Sequence, residues 1–133
     1  MNWTKVFLAG LVGGILSFFA DFVMHPTILG STYGKYPDVF NQAEGNPLWF
    51  LLISLLVGFF ASLLFAKTRD CWSGGWKGGA TFGFYIGLVA FFGEFIPTLV
   101  IDGFPYFLSW CWGATTLISL TIMGLGIGLV QKN

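Results

Sequence analysis

Charge is what this chain most lacks. Of its 133 residues only 9% are charged, six basic against six acidic, so the net charge is zero. A soluble domain carries about a quarter charged residues. The scarcity excludes an ordinary soluble fold, and the balance excludes the basic footprint of a nucleic-acid binder. Cysteine is nearly absent: Cys71 and Cys111 stand alone, with no CxxC or Cys/His spacing to hold a metal. Histidine occurs once, as His25. No nucleophile elbow or dinucleotide fingerprint is present. The glycine run at 74–79 has Lys77 but no hydroxyl residue after it, so it is not a P-loop. The reading is therefore a protein without enzymatic activity and without a resident cofactor.

What is abundant is apolar sequence. Hydrophobic residues make up 56% of the chain and mean hydropathy is +0.79. Four apolar segments stand out, at about 4–24, 48–66, 77–96 and 106–130. Each approaches the roughly 20 residues a helix needs to cross a bilayer. The expectation is an all-α membrane protein, a single domain over 1–133 with four transmembrane helices. Proline marks the boundaries: Pro26 after the first segment, Asn46-Pro47 as cap and first turn of the second, Pro97 closing the third, Pro105 opening the fourth. The start, with Lys5 before an apolar run, lacks an A-x-A cleavage pattern and reads as an uncleaved first span.

Lys5, Lys67, Arg69, Lys77 and Lys132 flank one side of these spans, and Lys35 the other, with Asp38, Glu44 and Asp102. The positive-inside rule then places both termini in the cytoplasm, in what reads as a bacterial cytoplasmic membrane. Trp3, Trp49, Trp72, Trp76, Trp110 and Trp112 fall near span ends, as an aromatic belt would. The long connection over residues 26–46 reads as an interfacial connector, with Tyr33 and Tyr36 at headgroup level; its length also suits a binding loop.

The first and third spans look like copies. A shift of 73 sets Trp3 on Trp76, Gly10 on Gly83, Gly14 on Gly87 and Asp21 on Glu94. Two residues further on drop out, and Pro26-Thr27 falls on Pro97-Thr98. A real duplication would make two tandem hairpins related by a pseudo-two-fold axis along the membrane normal. Each acid follows a glycine by seven residues and so shares its helix face. Gly10 and Gly14, and Gly79, Gly83 and Gly87, form four-residue ladders of the kind that packs membrane helices closely. The simplest arrangement sets spans one and three against each other.

Acids inside membrane helices are costly and become candidate sites. Asp21 lies 16 residues beyond Lys5, about 24 Å of helix, and Glu94 about 26 Å beyond Lys77. Both should sit at one depth near the outer edge, turned into the bundle. His25 follows Asp21 by one turn, so Asp21, His25 and Glu94 could share one polar cluster. Three uses compete: a hydrogen-bonded pin between helices, a proton or cation site for a small transporter or channel, and an axial histidine for a haem or chlorophyll-type pigment. Partners are the lipid bilayer and either further copies of the chain or a larger membrane complex, with no nucleic acid.

Residues 13–36, GGILSFFADFVMHPTILGSTYGKY, are similar to the opening of small bacterial four-span membrane proteins of the domain-of-unknown-function type. In those, an apolar helix ends in an aromatic pair, a small residue and proline, then a glycine and an aromatic. Here Val23-Met24-His25-Pro26 takes that place without the aromatic pair, followed by Gly30 and Tyr33. The glycine-rich third span and Met123-Gly124 in the fourth extend the likeness. The resemblance implies four spans and brings no activity or functional residue with it.

Overall fold

The computed structural model describes residues 1–40 and 45–132. Glu44, assigned above to the far side, lies outside the described residues. The described chain is all-helical: α1 (Trp3–Met24), a π-helical turn (His25–Leu29), α2 (Gly30–Tyr33), α3 (Pro47–Lys67), a 3-10 turn (Arg69–Cys71), α4 (Gly75–Gly93), α5 (Ile96–Val100) and α6 (Tyr106–Val130). Four helical stretches are long and apolar enough to cross a membrane. Local chemistry sets several ends. The Asn2 side chain accepts from Lys5 N at 3.1 Å, and the Asn46 side chain accepts from Leu48 N at 3.0 Å, each satisfying a first-turn donor. Gly75 at φ 71° turns the chain into α4, and Gly103 at φ 78° turns it toward α6.

Pro26 does not end the first helix, as the sequence suggested. The chain winds through a π turn and on to Tyr33, so the first span runs Trp3–Tyr33. Proline has no N–H and its ring crowds the carbonyl four residues back; a wider turn makes room for it. The His25 N–H still bonds Asp21 O, and the Thr27 hydroxyl bonds Val23 O. Leu29, at φ −108° and ψ −7°, then redirects the chain into α2.

The spans lie in a row, with α3 on α1, α1 on α6 and α6 on α4. This corrects the expectation that spans one and three pack together: among the described residues α1 and α4 share no interface of comparable size. The fourth span lies between them because it has two close-packing faces. Gly124 and Gly128 interlock with Gly79 and Gly83 of α4, backbone against backbone. Gly126 receives Leu16 of α1, while Gly13 of α1 receives Ile127 and Met123. The other face of α1 sets Gly10 and Gly14 against Gly58 of α3; a Cβ on Gly10 would come within 2.7 Å of Phe59 Cα. Each hairpin uses the same glycine interlock, Gly58 between Gly10 and Gly14 and Gly124 between Gly79 and Gly83. Among the described residues nothing of the size of α1 on α6 joins α3 to α4.

Among the described residues two cores fill the bundle. Near the termini, Ala9, Ala61, Phe65, Phe82, Met123 and Ile127 are buried together, with Phe65 and Phe82 edge to face at 5.3 Å. Gln131 is also buried there; its amide donates to Ser62 O at 2.9 Å and to Ser62 Oγ at 2.7 Å. Ser62 in turn donates to Val6 O at 2.7 Å, so one polar chain ties α6, α3 and α1. At the far end, Leu29, Tyr33, Phe104 and Leu108 form a second core, joined by Phe40 and Trp112.

A candidate polar site at the far end of the bundle

Asp21 and Glu94 are both half-buried and both meet α6. Glu94 caps α4 just before Pro97, whose ring disfavours a continuous helix. Its Oε1 accepts from Thr116 Oγ1 at 3.1 Å. Asp21 stays in regular helix on α1, close to the Ser119 side chain and within electrostatic range of Glu94. Thr116 and Ser119 are three residues apart, so the two acids meet α6 within about 4.5 Å of axial rise. Ser119 Oγ also lies 3.0 Å from Ser17 Oγ and 3.3 Å from Ser17 O. One hydroxyl carries one proton. When Ser119 gives it to Ser17 O, Ser17 can donate its own to Ser119 Oγ, which ties α6 to α1 beside Asp21.

His25 does not join the acids. Among the described residues no hydrogen bond or ion pair links it to Asp21 or Glu94; Nδ1 lies 2.7 Å from Tyr33 Oη, with the two rings 14° from parallel. Trp112 Nε1 donates to the same Tyr33 oxygen at 2.7 Å. Indole N–H can only donate, so the phenol accepts from it and is free to give its own proton to His25. In neutral imidazole that makes Nδ1 the acceptor and puts the proton on Nε2. The turn through Pro26 allows this pairing. Eight residues of straight α-helix rise about 12 Å, yet the two ring centroids are 6.1 Å apart.

Tyr33 is therefore buried, at 8% exposure, inside the second core and not open on a surface connector. It also lies within electrostatic range of Glu94. The chemistry available is a set of hydroxyl and carboxylate oxygens at one level, beside a Tyr–His–Trp relay. Among the described residues no three His, Cys, Asp or Glu side chains gather as a metal cluster. His25 Nε2 is the nitrogen that a pigment metal would have to use.

The predicted packing glycines Gly10, Gly14, Gly79, Gly83 and Gly87 all lie on helix contacts. Gly87 faces Leu117. Sequence reasoning missed the α6 face that receives both acids. Its signal was present: Ser109, Trp112, Thr116, Ser119 and Met123 recur at three- and four-residue steps, one helix face. No known family, curated protein or solved structure matches the chain.

Proposed function

We propose that this chain is a non-enzymatic integral membrane protein that serves as a subunit, joining copies of itself or a larger complex in the bacterial cytoplasmic membrane with its termini inside. The row of spans carries this reading. α3 and α4 flank the row, each with one main packing partner within the chain, and each presents an apolar outer face. The interlocked glycines are already used inside the protomer, so assembly would rest on those larger apolar side chains. Native mass spectrometry after extraction in mild detergent tests it: a defined multimer or a retained partner is expected. A clean monomer that supports ion-dependent flux in liposomes overturns it.

One observation favours a second reading, a small proton- or cation-linked transporter or channel. Asp21 and Glu94 come from different spans yet share the hydroxyl-bearing face of α6. Two carboxylates in each other's field favour a shared proton or cation. Toward the termini the interior is closed by Ala9, Phe65, Phe82, Met123 and Ile127, so transport would require these helices to move. Under this reading Asp21→Asn and Glu94→Gln each abolish flux in proteoliposomes while helicity is kept. Wild-type flux in both variants removes it.

A further inference from the structure

We infer that the protein holds one acyl chain of a phospholipid in a crevice between α3 and α4, a site separate from assembly and from the acid pair. The crevice has a volume of about 420 Å³. Leu56, Val57, Phe60 and Leu64 of α3 form one wall, with the buried Ala61 among them; Ile86 of α4 stands opposite, and Leu120 of α6 lies between. The gap exists because of how the glycines pair. Gly58 holds α3 against α1, while Gly83 and Gly87 hold α4 against α6. Toward the termini Phe65 and Phe82 still meet. Among the described residues α3 and α4 share no interface as large as that of α1 on α6.

What fills the crevice follows from its lining and its depth. Every lining side chain is apolar, so water finds no partner there, and the walls forgo dispersion contacts unless apolar matter enters. Lys67 ends α3 and Lys77 lies in the first turn of α4, and these amines mark the membrane surface on the side of the termini. Leu64 is three residues from Lys67 and Leu56 eleven, so the crevice runs from about 4.5 Å to about 16.5 Å below that level. Ile86 lies about 13.5 Å from Lys77 on the same basis. That range is one leaflet of a hydrocarbon core roughly 30 Å thick, the reach of a single acyl chain. A helix from a second copy would need a face along a whole span, and close helix contacts use small residues. Here Ala61 is the one small residue, set among branched and aromatic side chains that suit a flexible chain.

Photolabelling tests the site. The intact protein is placed in palmitoyl-oleoyl phosphatidylcholine vesicles doped with phosphatidylcholine that bears a diazirine midway along one acyl chain, and peptide mass spectrometry reads the adducts. Leu120, half-buried behind the crevice, is the diagnostic residue. It should be labelled at least as strongly as Ile53, which is exposed on α3 outside the crevice. Val57→Trp fills the crevice from its wall. At the strength of single dispersion contacts, expelling about ten of them lowers occupancy roughly tenfold. Labelling of Leu120 should fall by that factor while Ile53 keeps its label. Val89→Trp, on the exposed face of α4 outside the crevice, should leave both at the wild-type level; circular dichroism checks that both variants fold. A phosphatidylglycerol probe should give the same pattern, because the crevice holds the chain and not the head group. Label on exposed residues with none at Leu120, or a Leu120 label unchanged in Val57→Trp, overturns the proposal. So does a dimer in native mass spectrometry that Val57→Trp dissolves while Leu120 stays unlabelled, which would put a second copy in the crevice.

Discussion

The interface between α4 and α6 permits a sharp test. A Cβ on Gly79 would lie 2.7 Å from both Cα and N of Gly128, and closer still to the Gly124 carbonyl oxygen. Carbon contacts are favourable near 3.5–4.0 Å. All three neighbours are backbone, so no side chain can rotate away and the two helices must separate by about 1 Å to admit the methyl group. A gap of 0.5–1 Å forfeits a quarter to a half of each dispersion contact along the seam, and overpacking of this kind costs about 1–3 kcal/mol. Gly79→Ala should therefore destabilise the bundle by about 2 kcal/mol. Gly93 supplies the control. It is the last residue of the same helix, and a Cβ there meets nothing within 4 Å. Gly93→Ala should be neutral or stabilising by up to about 1 kcal/mol, because alanine restricts the unfolded chain. Reversible unfolding in mixed micelles, followed by tryptophan fluorescence, measures both. Equal stabilities for the two variants would refute the packing argument, since helix propensity favours alanine at both sites.

Three further outcomes are expected. Gln131→Leu removes the donor that holds Ser62 and should cost about 1–3 kcal/mol in the same assay, the penalty of a buried acceptor left without its partner. Tyr33→Phe leaves the Trp112 indole and His25 without their shared oxygen; it should destabilise by about 1–3 kcal/mol, and the indole N–H band in ultraviolet resonance Raman should shift to a weakly bonded position. If His25 ligates a haem or a chlorophyll-type pigment, the purified protein absorbs in the visible and His25→Ala bleaches it; a spectrum without such a band retires that use.

Four apolar helices were legible because the bilayer imposes a length on each span, and length can be read from one sequence. The close-packing faces were legible for a similar reason: glycines at four-residue steps mark where backbones approach. Which faces meet was not. Gly79 and Gly83 state that something comes near, but nothing local distinguishes Gly14 from Gly124 as their partner. The shared pattern of spans one and three pointed to each other, whereas α6 carries two complementary faces and lies between them. The acids followed the same logic. Asp21 and Glu94 could be singled out by cost, while Thr116 and Ser119, ordinary residues in any helix, acquire meaning only from what they face. His25 was assigned by adjacency to Asp21, and Tyr33 claimed it because the proline produced a π turn instead of a helix end.

The row also fixes an order of events. A chain made from its N-terminus can pair α1 with α3 early, since that hairpin uses glycines already synthesised. α4 then emerges with its main partner, α6, still to come. Until α6 is released, the Gly79–Gly87 ladder and Glu94 have only lipid, water or another protein for company. α6 is thus the keystone of biogenesis, and a chain cut before Tyr106 would keep one hairpin and leave its third span an orphan for quality control.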